Sequence, residues 1–158
     1  MASEKLSDDR LEAYEQLVRG YFHEVLDGGR VEAIDELFHP RCVMHRPGGD
    51  VVGLAGVRGV ADRRKETFSS FETTIHDVIV TEERLVARLS HRGVGGGIWR
   101  SRLGDYNVAG KTVSWNAIAI FRFDGGKIIE EWVARDEVGM ILQFGLRDKV
   151  AEGGSARQ

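Results

Sequence analysis

Phe121-Arg122-Phe123-Asp124-Gly125-Gly126-Lys127-Ile128-Ile129-Glu130-Glu131-Trp132 is the stretch whose reading decides the fold. Two β-prone runs, Thr112 to Phe123 and Lys127 to Arg135, flank the turn signal Asp124-Gly125-Gly126, so the stretch predicts an antiparallel hairpin. If the loop has three residues, Phe123 faces Lys127. One face then carries Trp115, Ala117, Ala119 and Phe121 opposite Arg135, Val133, Glu131 and Ile129. A one-residue slip would bring Glu130, Trp132 and Asp136 to that face instead. The sequence leaves this choice open.

Upstream of the hairpin the apolar residues alternate. Thr73 to Thr81 and Leu85 to His91 read as strands, Gly93 to Gly97 as a flexible link, and Ile98 to Tyr106 as a third long strand. Further upstream the period becomes helical. Leu11, Tyr14, Val18, Tyr21, Phe22 and Val25 recur at helical spacing behind a Ser7 cap, and Gly28-Gly29 ends the helix. A short helix spans about Val31 to Phe38 and stops at Pro40. Arg41 to His45 reads as a strand, Pro47-Gly48-Gly49 as a turn, and about Leu54 to Phe71 as a third helix. Val57, Val60, Ala61, Arg64, Phe68 and Phe71 share one face of it. A last short helix covers about Glu137 to Phe144. Helices first and antiparallel strands afterwards mean α+β, with three N-terminal helices packed on the concave face of a strongly bent sheet. The cone so formed opens at a mouth suited to a ligand. A single domain over residues 7–148 is expected, with flexible tails at 1–6 and 149–158.

Composition narrows the function. The chain has 158 residues and a formal net charge of −3, without the basic balance of a nucleic-acid binder. Arg63-Arg64-Lys65 reads as a solvated helix face. The lone Cys42 sits in an apolar run and reads as core. The longest hydrophobic run, Ala117 to Phe121, is far too short for a membrane span, and a cytoplasmic location is expected. Gly93-Val94-Gly95-Gly96-Gly97 lacks the Gly-Lys-Ser/Thr ending of a phosphate loop, and no dinucleotide fingerprint occurs. His39 and His45 lie six apart, which suits no metal motif. No cofactor and no metal are expected.

These motifs resemble a known family. Phe38-His39-Pro40 before a strand ending at His45, the Pro47-Gly48-Gly49 turn, the Gly-led third helix, the Arg122-to-Trp132 frame, Asp136 and Leu142-Gln143-Phe144-Gly145 look like the SnoaL-like polyketide cyclases of the nuclear transport factor 2-like superfamily. The resemblance implies the cone fold, a homodimer through the sheet, small-molecule substrates and catalysis without metal or coenzyme, often in bacterial secondary metabolism. It also implies that the odd-numbered hairpin face lines the pocket. In the aldol cyclases a His on the first strand of this hairpin and an Asp on the second carry the proton. The matching positions here are Ala119 and Val133, and neither can do so.

Other residues must therefore supply any chemistry. Glu131, set among apolar neighbours, has its pKa raised by desolvation toward the useful range of a general acid or base. Arg135 opposes that shift and can hold an anionic or carbonyl oxygen. His45 ends the first strand, where related enzymes carry an acid or base, and titrates near neutrality; Arg46 is then expected to face away. Trp99, Trp115 and Tyr106 offer flat surface for a substrate, with His91 and Asp136 as further binding candidates. Each has a plainer reading: a surface Glu131, a rim His45, core aromatics, a structural His91 and an Asp136 that caps the last helix. Two functions follow. One is a cyclase or isomerase, acting by epoxide opening to a cyclic ether or by aldol closure with relocated groups. The other is a non-catalytic binding or scaffold protein on the same fold.

Overall fold

The computed structural model describes residues 2–145. The expected C-terminal tail lies outside the described residues. The first helix, α1, spans Ala2–Gly20 and so runs through Ser7 instead of being capped there. It continues as π-helical turns over Tyr21–Asp27, which bury Tyr21, Phe22, Val25 and Leu26. After a 3-10 turn at Val31–Ala33, the second helix, α2, is only Ile34–Leu37. Phe38 already belongs to the first strand, β1 (Phe38–Arg46), which includes Pro40. Proline lacks an N–H, and Pro40 lies where the ladder between β1 and its parallel neighbour is interrupted, between Phe38 and Val43.

The Pro47-Gly48-Gly49 turn leads into a short strand not foreseen in the sequence, β2 (Gly49–Val52), antiparallel to β1. The third helix, α3, spans Gly53–Thr67 and presents Val57, Val60 and Ala61 to the core. The next strands are β3 (Phe68–Val80) and β4 (Arg84–Gly95). The expected single strand over Ile98 to Tyr106 is instead a small hairpin, β5 (Ile98–Ser101) and β6 (Gly104–Asn107). Then come β7 (Thr112–Asp124), β8 (Lys127–Arg135) and α4 (Glu137–Phe144).

The result is α+β, as expected, with a six-stranded mixed sheet in the order β2-β1-β8-β7-β4-β3 and a separate β5-β6 ribbon. Strict alternation along β7 makes it a sheet interior strand: odd positions from Val113 to Phe123 are buried, even ones are more exposed. The buried face packs on α1, its π-helical extension and α3. One core joins Val18, Tyr21, Phe22 and Val25 to Phe38, Met44, Leu89, Ala119 and Phe121. A second joins Trp99, Tyr106, Trp115, Met140 and Phe144 around the ribbon and α4.

The hairpin register differs from the expected one. Asp124 pairs with Lys127 across a two-residue turn in which Gly125 and Gly126 take φ of 57° and 73°. That left-handed pair is the turn matched to strand twist, and it needs glycine. An irregularity between the Arg122 and Phe123 pairs then adds a residue on β8, so Phe121, not Ala119, faces Glu131. From Glu131 onward the displacement is two places, so Glu131, Val133 and Arg135 still point inward, whereas beside the turn the buried residue is Ile128 and not the expected Ile129.

The Gly-rich segment is also more ordered than a link. β4 runs through Gly93 and Gly95, which pair with Val113 and Lys111 or lie against β3. A Cβ on Gly95 would collide with the carbonyl of Val108, the residue that closes the β5-β6 ribbon back onto β4. Gly95→Ala should therefore cost about 2–3 kcal/mol, measured by urea unfolding. Gly59→Ala, which meets open space inside α3, is the contrasting case and should stabilise by up to about 1 kcal/mol.

Candidate active site

Strand parity decides which polar groups reach the interior. Cys42 and Met44 are buried on β1, so the next inward position is Arg46, and His45 faces the other way. This reverses the expected orientations of His45 and Arg46. His45 lies on the outer face of the sheet, stacked on Trp132 with ring centroids 5.0 Å apart. Its Nε2 donates to Glu130 Oε1 at 3.0 Å and its Nδ1 to Asp50 Oδ1 at 2.9 Å. The Glu130 hydrogen bond, helped by Asp50 and working against partial burial, holds the imidazole above its ordinary range. His45 thus bridges two carboxylates across β1, β2 and β8.

Glu131 points inward and is 2% exposed. Its Oε2 accepts from Arg46 Nη2 at 3.0 Å, and the same nitrogen donates to Tyr21 Oη at 3.1 Å. Burial pushes the Glu131 carboxyl up further than Arg46 and Arg64 pull it down. The expected shift is present, but its opposing cations are Arg46 and Arg64, not Arg135. Burial, then the Glu131 charge, also pushes the Tyr21 phenol up. Glu131 sits behind Arg46 and is not itself part of the cavity wall.

That cavity has a volume of about 770 Å³. Arg46 enters its wall from the end of β1, Arg64 from α3 and Arg135 from the end of β8, with Trp99 from β5 and Glu137 from α4. Glu137 accepts from Arg135 Nη2 at 2.7 Å and from Arg102 Nη2 at 2.8 Å. Burial raises this carboxyl, but the two arginine hydrogen bonds outweigh it and hold Glu137 below the usual carboxylate range. Arg64 lies 3.9 Å over the Phe71 ring, and its Nη1 is buried without a hydrogen-bond partner. Arg64 also lines a second cavity of about 290 Å³, beside Asp27 and Phe71.

Beneath this wall runs a buried relay. His91 Nδ1 donates to Thr73 Oγ1 at 2.9 Å, and Thr73 Oγ1 donates to Asp27 Oδ1 at 2.7 Å. The Thr73 hydroxyl can donate only once, so this arrangement requires the Nδ1–H tautomer of a neutral His91. Burial, followed by the charges of Arg64, Arg135 and Arg46, takes the imidazole down to about 2. Phe22, Phe71 and Trp115 surround it with ring centroids 5.1–6.0 Å away.

Of the residues singled out in the sequence, Arg135 and Trp99 line the main cavity. Trp115 packs on Phe68, Phe71 and His91 as core, and Tyr106 packs on Trp99. Asp136 caps α4, its Oδ1 accepting from Gly139 N at 2.8 Å. Ala119 and Val133 pair directly across the hairpin on the inward face, leaving that part of the wall apolar. Arg46, Arg64, Tyr21 and Glu137 were not singled out as site residues. The apolar parity of Cys42 and Met44 points to Arg46, and Arg64 already shared the apolar face of its helix. Neither Tyr21 nor Glu137 carries a comparable signal.

A bent mixed sheet closed by helices over an arginine-lined cavity places the chain among the nuclear transport factor 2-like proteins. The model of the SnoaL-like polyketide cyclases matches residues 16–144. The chain belongs to that family. Among solved structures it is similar to TsrD from Streptomyces laurentii, with 24% identity, 85% of this chain and 96% of that one covered, and a TM-score of 0.75. IdmH from Streptomyces antibioticus gives 22% identity, 84% and 99% coverage and a TM-score of 0.70. A SnoaL-like polyketide cyclase from Agrobacterium tumefaciens gives 18% identity, 84% and 98% coverage and a TM-score of 0.70. No curated protein matches.

Two outcomes test the site as a folded unit. Arg46→Met strands a buried Glu131 carboxylate and should cost about 3–5 kcal/mol, whereas Arg46→Met with Glu131→Leu should recover most of it; chemical denaturation of the three proteins measures this cycle. His91 is the acid-sensitive point. Its folded pKa is depressed, so its contribution is present above the unfolded value near 6.5 and is lost as pH falls toward about 2. Below about pH 6 wild type should lose up to about 1.4 kcal/mol more per pH unit than His91→Gln, read from unfolding curves at several pH values.

Proposed function

We propose that the protein is a cyclase or isomerase that carries out general acid/base chemistry on a small, oxygen-rich organic molecule of secondary metabolism. The carrying observation is the cavity wall in which Glu137, 13% exposed, stands beside Arg135 among converging guanidinium groups. Such a wall combines an ionised carboxylate that can accept a proton with fixed cations that hold the oxygen where negative charge develops.

The reaction divides between these groups. Substrate enters with a carbonyl or leaving oxygen toward Arg46 and Arg135. Glu137 takes a proton from an activated carbon or from a hydroxyl. The electron pair released passes to the carbonyl oxygen as an enolate, or through the hydroxyl oxygen to an epoxide carbon, and the arginines hold the resulting oxyanion. The proton returns from Glu137 to carbon or to the new alkoxide, which restores the carboxylate. The first course gives isomerisation or ring closure through carbon. The second gives a cyclic ether from an epoxy alcohol. Glu131 is a positioning residue in this scheme, since it fixes Arg46 and does not reach the cavity. With Ala119 and Val133 apolar, aldol closure would also have to run at the arginine end.

The test is nuclear magnetic resonance of an aryl ketone in deuterium oxide and of a γ-epoxy alcohol in buffer. Wild type should accelerate deuterium exchange beside the carbonyl or closure of the epoxide. Glu137→Gln should lose about 10²- to 10⁴-fold in rate while keeping saturable binding. A carrier or scaffold would bind without turning over either compound, and Glu137→Gln would then change nothing.

A further inference from the structure

Six arginines line the cavity; of the three that are not exposed, Arg46, Arg64 and Arg135, only two have a carboxylate. Arg46 is paired with Glu131, and Arg135 with Glu137. Arg64 has neither. One flat face lies over Phe71, Nη1 is buried and bare, and the guanidinium has no hydrogen-bond partner among the described residues. Arg46 likewise keeps its Nε buried and bare. A partly buried cation without a carboxylate partner, one of its nitrogens sealed from water, is costly. Burial, reinforced by the charges of Arg46 and Arg135, brings Arg64 down to about 10, against the smaller pull of the Tyr21 and Asp27 groups.

The position of this unpaired charge is informative. Arg64 and Phe68 line both cavities, so the guanidinium stands where the two meet, next to the flat side chain of Trp99 in the larger one. The chain as a whole is at −3, and the two arginines whose charges bear on Arg64, Arg46 and Arg135, each have a carboxylate partner. The missing partner is one negative charge, planar enough to meet a guanidinium fork, with an apolar body beside it.

We propose that Arg64 is the docking point for the carboxylate of a small aromatic or polyketide-type acid, so that the protein takes up an anion and not a neutral ester or ketone. This assignment rests on the cyclase or isomerase reading of the cavity but concerns binding before any reaction. Once docked, the carboxylate neutralises the surplus charge at Arg64 and leaves Arg46 and Arg135 free to face the oxygen at which charge develops.

Calorimetric titration of the full chain with sodium 2-naphthoate and with methyl 2-naphthoate tests it. The acid should bind saturably and at least about tenfold more tightly than the ester, a difference of about 1.4 kcal/mol. Arg64→Met should abolish that preference and melt at or above wild type, because it removes an unpaired buried charge. Should Arg64→Met fail to fold, Arg64→Lys keeps the charge without the fork and should weaken the acid while leaving the ester unchanged. Arg92→Met, exposed on β4 and lining neither cavity, should retain the preference. Equal affinity for acid and ester, a preference that survives Arg64→Met, or no saturable binding of the acid at millimolar concentration overturns the proposal. Those results leave the proposed reaction standing if Glu137-dependent turnover of a neutral compound is observed. A preference for the acid with no turnover spares the docking site and sinks the reaction.

Discussion

The Arg46–Glu131 pair holds together the three parts on which the cavity depends. Arg46 comes from the end of β1, Glu131 from β8, and Tyr21, sharing the same Nη2, from the π-helical continuation of α1. β1 and β8 are the one parallel pair in the sheet, and Met44 and Glu131 are register partners there. Both charges are desolvated, so the pair adds little net stability against an apolar substitute. What it fixes is direction: Arg46 has one anion and one hydroxyl to satisfy, and meeting both aims its guanidinium into the cavity wall. A π-helical turn is an uncommon local conformation, and here it places Tyr21 toward Arg46 and Asp27 toward Thr73 from the same short segment.

Electrostatics on the two faces of the sheet are solved in different ways. Outside, His45, Glu130, Asp50 and Arg122 alternate in sign and share water with their surroundings, so each charge is met and partly screened. Inside, the charges are more deeply buried and each is felt more strongly. There the protein keeps His91 neutral through Thr73 and Asp27, ties two arginines to carboxylates and leaves Arg64 over an aromatic ring. Polar groups inside a cone of this kind are not ornament to an apolar core. They fix where charge is concentrated in the cavity wall and where it is already paired.

Much of the fold was legible because it depends on period. Alternation along Thr112–Asp124 and helical spacing around Val18 to Val25 named the elements and the packed face. The inward direction of Glu131 was also legible, since a displacement of two places conserves parity. What was not legible depended on single-residue events. The two-glycine turn and the extra residue on β8 cancel in parity yet move each partner. On β1 the nearby His45 drew attention as a titratable group, while the buried Cys42 and Met44 determine that Arg46 is the inward residue. The Gly93–Gly97 run read as slack because composition does not reveal close approach; Gly95 is there because the Val108 carbonyl leaves no room for a side chain. Glu137 became part of the site only through the turn after Arg135, which folds α4 back over the cavity.

The β5-β6 ribbon shares no ladder with the six-stranded sheet, although it supplies Trp99 to the cavity wall and packs on Phe144 of α4. Its backbone is attached around Gly95, Gly97 and Val108, while Trp99, Tyr106 and Arg102 tie its side chains to α4 and the second core. At its tip Arg102 reaches Glu137 in the cavity wall, whereas Leu103 beside it is exposed and lines neither cavity. The ribbon thus closes one side of the cavity without sharing in the ladder that holds the other walls.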